Sequence, residues 1–225
     1  MCMRYCVYLH GFLSSGQSHK AQWFSAQVTQ ENSSKKGLKI EGEGEKIAFQ
    51  HWLTPTYPLH SPQESLAAIE KVLLPLLNRS DVQVMLAGAS MGGFYAQHLG
   101  QKYQLPYVMI NPALNPIPLF EKNKGTHKSC ATGERFCIDD MYIQQLKPLV
   151  FNEKNPLNLS VPALLLLDEA DELIDIPFAL KAYQPATLMN LSSIKVMTYP
   201  GGNHAFQHLD EAWPVIKAFS QLYLR

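Results

Sequence analysis

The feature that most constrains this chain is a glycine-rich turn at residues 88–93, which carries the pattern G-x-S-x-G around Ser90. An apolar run at 82–87 precedes the turn, and a helical pattern follows it. A serine on a sharp turn from strand to helix adopts strained backbone angles, and flanking glycines remove the side chains that would collide there. The turn therefore predicts a strand, a Ser90 hydroxyl pushed out of the sheet, and a helix in direct succession.

Short apolar runs alternate with longer amphipathic stretches along the chain. The apolar runs lie at 5–9, 47–53, 82–87, 107–110, 163–167 and 195–199, and the helical patterns lie at 20–30, 62–77, 91–103, 177–183 and 211–224. This alternation predicts an α/β fold with a mainly parallel sheet of about six strands flanked by helices. The 225 residues, 46% of them hydrophobic, are enough for one core, which predicts a single domain over 1–225.

Two segments interrupt this rhythm. Residues 31–45 are polar and rich in Gly and Lys, which predicts a loop insertion. Residues 115–136 are rich in Pro, Lys and Gly, and they follow a predicted strand at a place where a small lid or a loop insertion could sit.

The charge balance favours a small neutral ligand as the partner. The 19 Lys and Arg residues equal the 19 Asp and Glu residues, so no net field attracts nucleic acid or an anionic membrane surface. No apolar run is long enough to span a bilayer, and the first residues lack the apolar region of a secretory signal. These features predict a cytoplasmic protein without integral membrane association, and they leave the oligomeric state open.

The four cysteines do not indicate a disulfide framework or a metal site. Cys2, Cys6, Cys130 and Cys137 are sparse in a chain of this length and form no C-x-x-C pair. We therefore expect reduced thiols and no metal.

A serine hydroxyl is a poor nucleophile near neutral pH, so Ser90 needs a base within hydrogen-bond reach. G-x-S-x-G turns of this kind are typical of α/β-hydrolases, in which serine, acid and histidine follow one another in that order. Of the eight histidines, only His204 and His208 follow the last predicted strand. His204 lies in a glycine-containing loop and is the predicted base, whereas His208 fits a surface position or the first turn of the last helix.

The acid is a choice among neighbours. Five carboxylates lie between Asp168 and Asp175, directly after a predicted strand, and most of them should form a solvated surface. The acid that orients the histidine should sit a few residues beyond the strand end. Asp171 meets this requirement best, followed by Asp175 and then Asp168.

Two turns predict the donors that would stabilise an oxyanion. The backbone N–H of Met91 lies at a predicted helix N-terminus, where unpaired amides and the helix dipole favour negative charge. The His10-Gly11 turn after the first strand resembles the turn that carries the second donor in α/β-hydrolases, which implies the Phe12 amide, with Leu13 as the second choice. His10 itself is expected to shape the loop through hydrogen bonds rather than act as a base.

The chain also resembles the YqiA-like esterases, a small bacterial branch of the α/β-hydrolases, over most of its length. The similar segments lie at 8–15, 18–21, 58–62, 90–96, 110–113, 132–134, 171–175 and 201–206. The resemblance implies a triad of Ser90, Asp171 and His204 that acts on short acyl esters, with acyl thioesters as an alternative substrate class. Residues 31–45 depart from it in length, and the turn reads Gly-Ala-Ser-Met where Gly-Ser-Ser-Leu is commoner.

These observations predict acyl transfer through a covalent intermediate on Ser90, with no cofactor. A rival hypothesis keeps the triad but changes the bond or the acceptor, as in a thioesterase, acyltransferase, C–C hydrolase or peptidase, since a fold determines the nucleophile better than the substrate. A second rival is a catalytically silent binding protein on the same fold.

Overall fold

A parallel sheet forms the centre of the molecule. The computed structural model describes residues 2–36, 48–189 and 191–224. The strands in chain order are β1 (Met3–Leu9), β2 (His51–Leu53), β3 (Val82–Ala89), β4 (Tyr107–Ile110), β5 (Gly125–Lys128), β6 (Arg135–Ile138), β7 (Ala163–Asp168) and β8 (Ile194–Tyr199). Six of them pair in parallel in the order β2-β1-β3-β4-β7-β8, while β5 and β6 form a separate antiparallel hairpin. The predicted α/β class and the six-stranded parallel sheet are thus confirmed.

Helices cover both faces of the sheet. Their bounds are α1 (His19–Lys36), α2 (Pro62–Leu77), α3 (Met91–Tyr103), α4 (Ile117–Lys122), α5 (Asp140–Leu146), α6 (Ile176–Leu188) and α7 (Leu209–Tyr223), with a 3₁₀ turn at Lys147–Leu149. Side chains of β1 alternate between two buried clusters, one on each face. Val7 and Leu9 belong to the cluster that includes α2, α3 and α6, whereas Cys6 and Tyr8 belong to the cluster that includes α1 and α7.

Helix α1 is longer than the sequence predicts. Residues 31–36, predicted as the start of a loop insertion, continue the helix, and the rest of that prediction falls on 37–45, outside the described residues. The Oε1 of Glu31 accepts hydrogen bonds from Trp213 Nε1 at 3.2 Å and from Lys217 Nζ at 2.7 Å, both on α7. Contacts with a distant helix therefore hold a polar stretch whose local composition favours a loop.

The edge strand β2 is shorter than the predicted run at 47–53. It pairs only with the Tyr5–Val7 part of β1, over His51–Leu53. Residue 47 of the predicted run lies outside the described residues. Ala48 and Phe49, which were predicted as strand residues, instead pack their buried side chains into the core beside the sheet. The apolar character of these two residues thus reflects burial rather than strand pairing.

The segment 115–138 folds over the carboxyl end of the sheet as α4 and the β5–β6 hairpin. The ring of Phe12, which follows β1, meets Phe120 and Phe136 of this segment edge to face, at centroid distances of 4.9 and 5.5 Å. Glu134 accepts backbone hydrogen bonds from Leu59 and His60 at 3.0 and 3.1 Å. The segment is therefore attached to two loops at the end of the sheet where parallel strands present their functional side chains.

The described residues contain neither a membrane-spanning helix nor a cluster of metal-binding side chains. No helix among 2–36, 48–189 and 191–224 is long and apolar enough to cross a membrane. The same part of the chain brings together no group of three or more His, Cys, Asp or Glu side chains that could hold a metal ion. The four cysteines all carry free thiols, with Cys6 buried and the others exposed.

Candidate active site

Ser90 occupies the sharp turn that the sequence predicts. It lies directly between β3 and α3 with φ 53° and ψ −120°, a backbone conformation that is costly for a residue with a side chain. The glycines are required by close backbone contacts. A Cβ at Gly88 would lie 2.2 Å from the Gly92 carbonyl oxygen, and a Cβ at Gly92 would lie 2.0 Å from the Leu9 carbonyl oxygen.

Hydrogen bonds to the end of β4 hold this turn in place. The Ser90 N–H donates to the Ile110 carbonyl at 3.0 Å, and the Ala113 N–H donates to the Ser90 carbonyl at 3.1 Å. The Phe94 N–H also donates to the Ser90 carbonyl, at 3.2 Å, and so begins α3. The strained turn is thus stabilised by a neighbouring strand as well as by its own helix.

The structure brings Ser90, His204 and Asp171 together. The Nε2 of His204 lies 3.0 Å from the Oγ of Ser90. On the other side of the ring, Nδ1 lies 2.9 Å from Asp171 Oδ2 and 3.2 Å from Oδ1. The Ser90 hydroxyl, the His204 imidazole and the Asp171 carboxylate are therefore connected by two consecutive contacts, each at hydrogen-bond distance.

The surroundings of Asp171 favour its charged form. Its side chain is fully buried, and its Oδ1 accepts hydrogen bonds from the Leu173 and Ile174 amides at 2.8 and 2.9 Å. Burial alone would raise the pKa of Asp171, but the hydrogen bonds with His204 and from the two amides outweigh it and hold the pKa below its usual value. A carboxylate in this state can stabilise a protonated His204.

The alternative residues of the sequence analysis have other partners. Asp175 caps α6 by accepting from the Phe178 amide at 2.9 Å. Asp168 lies 2.7 Å from Nδ1 of His208, which occupies the N-cap position of α7 and is partly exposed. Three of the five carboxylates, Glu169, Glu172 and Asp175, are exposed as expected. Asp168 is fully buried, because parallel pairing of β7 with β8 places it under the loop that follows β8.

The two predicted oxyanion donors line one small cavity beside Ser90. Met91 is the first residue of α3, and Phe12 lies in the turn after β1. A Cβ at Gly11 would lie 3.4 Å from the Cβ of Ser90, so this turn passes directly over the serine. The cavity is lined by His10, Gly11, Phe12, Tyr57, Leu59, Ser65, Met91, Tyr95 and Tyr142, and its volume of about 10 Å³ is close to the space that one water molecule needs. Leu13, the second choice, adopts φ 58° in the same turn.

His10 shapes this turn, as predicted. Its Nδ1 lies 2.9 Å from the Gly11 carbonyl, and its ring stacks on Tyr57 at a centroid distance of 3.9 Å. The Tyr57 hydroxyl in turn donates to the His10 carbonyl. Burial lowers the pKa of His10 to about 4, so the ring is neutral near neutral pH and supports the turn as a hydrogen-bonding and packing group.

Several cavity residues were missed by the sequence analysis. Tyr57 and Tyr142 come from two separate parts of the chain, and aromatic residues at such positions are more often part of a core than of a binding site. No local pattern distinguishes them. Leu59 and Tyr95 lay within segments that resemble the YqiA-like family, and this resemblance was the signal available for them.

The model of the uncharacterised protein family UPF0227 matches residues 5–221. The chain belongs to this family. A UPF0227 relative, the protein YcfP of Salmonella gallinarum, is 22% identical over 216 residues, which cover 96% of this chain and 98% of the relative. The resemblance to YqiA-like proteins noted from the sequence is thus confirmed, and UPF0227 membership extends over nearly the whole chain.

Solved structures of low sequence identity share the fold of this UPF0227 protein. Est1E from Butyrivibrio proteoclasticus is 16% identical with a TM-score of 0.67, and the match covers 99% of this chain and 89% of Est1E. A monoacylglycerol lipase from Paleococcus ferrophilus is 12% identical with a TM-score of 0.67, and the match covers 96% of this chain and 94% of the lipase. These similarities show that the chain has the α/β-hydrolase fold.

Proposed function

We propose that this UPF0227 protein is a serine hydrolase that cleaves carboxylic esters of small acyl groups through an acyl-enzyme intermediate. The observation that carries the proposal is the line of hydrogen bonds from Ser90 through His204 to Asp171. A buried carboxylate, an imidazole and a strained serine in this order are the arrangement that activates a hydroxyl for attack on a carbonyl.

In the first half of the reaction, the Oγ of Ser90 attacks the carbonyl carbon of the ester while its proton passes to Nε2 of His204. The tetrahedral intermediate then collapses with cleavage of the bond to the alcohol, to which His204 gives the proton. The acyl group stays bonded to the Oγ of Ser90. In the second half, a water molecule gives a proton to His204 and attacks the acyl group, which leaves as the acid while Ser90 regains its proton. Asp171 orients His204 and stabilises the imidazolium at each step.

The amides of Phe12 and Met91 are the proposed oxyanion donors. Both residues line the cavity next to Ser90, and Met91 is at the N-terminus of α3, where the helix dipole also favours negative charge. Loss of one donor of this kind typically costs about 3 kcal/mol of transition-state stabilisation. Since the donors are main-chain groups, the side chains at these positions contribute to packing rather than to charge stabilisation.

The cavity supports a preference for short acyl groups. Its volume of about 10 Å³ and its lining of aromatic and aliphatic side chains suit a methyl group better than an extended chain. Phe120 of the 115–138 segment packs against both Tyr142 of the lining and Phe12, at centroid distances of 5.3 and 4.9 Å. We therefore assign this segment the role of the outer wall of the acyl pocket, which limits chain length.

The similar structures agree with this reaction class, because one of them is a monoacylglycerol lipase. A thioesterase or acyltransferase would use the same serine, histidine and acid on a different leaving group or acceptor, and it is the second candidate. A silent binding protein would have no need for the strain at Ser90 or for the buried Asp171 beside His204.

A panel of acyl p-nitrophenyl esters and acyl-CoAs, from acetyl to octanoyl, tests the proposal with Ser90→Ala as the control. We expect the acetyl ester to give the highest kcat/KM and Ser90→Ala to give no turnover above the uncatalysed rate. Faster turnover of acyl-CoAs than of esters would change the assignment to a thioesterase. Turnover that survives in Ser90→Ala would overturn the proposed mechanism.

A further inference from the structure

A second pairing of histidine and carboxylate lies close to the proposed triad. Asp168, the last residue of β7, is fully buried. Its Oδ1 lies 2.7 Å from Nδ1 of His208, and its Oδ2 accepts hydrogen bonds from the backbone N–H groups of Gln207 at 2.7 Å and Asn203 at 3.2 Å. The mechanism above gives this carboxylate no part, although three groups of one loop converge on it.

These contacts hold the loop on both sides of His204. Asn203 directly precedes His204, and Gln207 follows it by three residues, so the two N–H groups on Oδ2 bracket the proposed base. The third contact, from His208, attaches the start of α7 to the same carboxylate. A single buried side chain thus binds three groups of the loop that carries His204.

The carbonyl groups of the loop are held as well. The Nδ2 of Asn111 donates to the Asn203 carbonyl at 2.9 Å, and the Oδ1 of Asn111 accepts from the Asp168 N–H at 2.8 Å. Lys20 donates to the Ala205 carbonyl. Asn111 is buried and adopts φ 41°, and it follows Ile110, whose carbonyl accepts from the Ser90 N–H. The Asn111 side chain, which binds the loop, and the Ile110 carbonyl, which binds Ser90, therefore lie next to each other at the end of β4.

The loop is built closely around the carboxylate. Gly201 and Gly202 both adopt left-handed backbone angles, with φ 70° and 73°. A Cβ at Gly202 would lie 2.0 Å from Asp168 Oδ2, so a side chain there could not coexist with the present position of the carboxylate. Without other contacts, two adjacent glycines would allow the backbone many conformations. The contacts with Asp168 favour one of these conformations.

We propose that Asp168 is a positioning residue that holds the 203–208 loop so that His204 reaches Ser90. This role rests on the proposed function, in which His204 is the base. A buried carboxylate is costly unless its oxygens are satisfied by hydrogen bonds, and here three donors from the loop that carries the base satisfy them. Small displacements of a base lower the chemical rate more than substrate binding, because the transition state depends on alignment.

The first test is Asp168→Asn in the full chain, assayed with p-nitrophenyl acetate. The amide keeps the shape of the carboxylate but replaces one acceptor with a donor, so either the backbone N–H groups of the loop or the ring of His208 loses its present acceptor. We expect kcat to fall by about 10- to 100-fold and KM to change by less than about twofold, in line with the rate cost of misplaced catalytic groups. We also expect the low-field proton NMR signal of the His204 Nδ1–H, identified by its loss in His204→Ala, to broaden or disappear.

A second variant and a control separate positioning from general damage. His208→Ala removes one contact on Asp168 from a partly exposed position, so it should fold even if Asp168→Asn does not, and we expect kcat to fall by about 3- to 10-fold with little change in KM. Asp175→Asn is the control, because it changes a nearby carboxylate whose described partner is the Phe178 amide of α6. Since Asn caps a helix about as well as Asp, this variant should fold normally and keep kcat within about twofold of the wild-type value.

Each outcome bears on one proposal. If Ser90→Ala is inactive while Asp168→Asn and His208→Ala keep the wild-type kcat and the His204 signal, Asp168 has a structural role only and the positioning proposal is wrong. If Asp168→Asn does not fold, an unchanged kcat and an unchanged His204 signal in His208→Ala would be enough to reject it. Activity that survives in Ser90→Ala would instead reject the proposed function itself.

Discussion

The Nε2 of His204 lies 3.0 Å from the Oγ of Ser90, although 114 residues separate them in the chain. Both residues are attached to the end of β4. The Ile110 carbonyl accepts from the Ser90 N–H, and the side chain of Asn111 donates to the carbonyl of Asn203, the residue before His204. Two consecutive residues at the end of β4, Ile110 and Asn111, therefore contribute to the distance between hydroxyl and imidazole.

Substitution of Asp171 should remove most of the activity. In Asp171→Asn, an amide beside Nδ1 can hold His204 in the wrong tautomer, and we expect kcat for p-nitrophenyl acetate to fall by roughly 10³- to 10⁴-fold. The Asp175→Asn variant serves as a matched control because it changes a carboxylate four residues away that caps a helix. An activity loss in Asp175→Asn combined with a nearly unaffected Asp171→Asn would transfer the role of the acid to Asp175.

Enlargement of the cavity should change the acyl preference. Leu59 is buried and lines the cavity, so Leu59→Ala makes room for a longer chain. Two additional methylene groups buried in that space would be worth about 1.6 kcal/mol, so the butyrate-to-acetate ratio of kcat/KM should rise by about tenfold. Leu73→Ala is the control, since Leu73 is buried on α2 outside the cavity lining and should cost comparable stability without a change in the ratio. The same ratio in both variants would show that the cavity is not the acyl site.

Two adjacent glycines allow the contact with Asp168 to be separated from backbone strain. Both Gly201 and Gly202 have left-handed φ, so alanine at either position should lower the stability by about 1 to 2 kcal/mol. Only Gly202→Ala places a Cβ against Asp168, because a Cβ at Gly201 meets nothing within 4 Å. We expect Gly202→Ala to lose at least about tenfold in kcat and Gly201→Ala to lose little. Equal kcat losses in the two variants would mean that strain, not the carboxylate, controls the loop.

The buried His10 should make the fold sensitive to acid. Its folded-state pKa of about 4 lies below its ordinary value of 6.5, so the unfolded chain binds more protons in between and stability falls as the pH falls through this window. At about 1.4 kcal/mol per pKa unit, the contribution is roughly 3 kcal/mol over the whole window. Urea unfolding at pH 7 and 4.5 should show that His10→Gln loses less stability on acidification than the wild type. Equal losses would show that His10 is protonated in the folded protein.

The part of the site that depends on local sequence could be predicted. The turn at Ser90 needs glycines at fixed offsets, a strand before it and a helix after it, and all of these are visible in neighbouring residues. The proximity of His204 to Ser90 could be predicted from the order of these residues in the chain. The length of α1 could not be predicted, because Glu31 remains helical through contacts with Trp213 and Lys217, which lie far away in the sequence.

The environments of the acidic residues after β7 also could not be predicted from local sequence. Five carboxylates follow β7, and spacing alone favoured Asp171 without revealing what the others do. The burial of Asp168 depends on the pairing of β7 with β8, which aligns Asp168 with Tyr199 and brings the next loop over it. No local pattern shows the strand register between distant segments. The burial of Asp168 and its contacts with the 203–208 loop are therefore visible only in the folded chain.

Reaction of the folded protein with a fluorophosphonate, followed by mass spectrometry of the intact chain and its peptides, tests the central claim most directly. The account predicts one label per chain, located on Ser90, with loss of p-nitrophenyl acetate hydrolysis in proportion to labelling and much slower labelling in His204→Ala. The Ser90→Ala variant should take up no label. An unlabelled wild-type protein whose fold is intact, or a label on another residue with Ser90 unmodified, would contradict the assignment of Ser90 as the nucleophile.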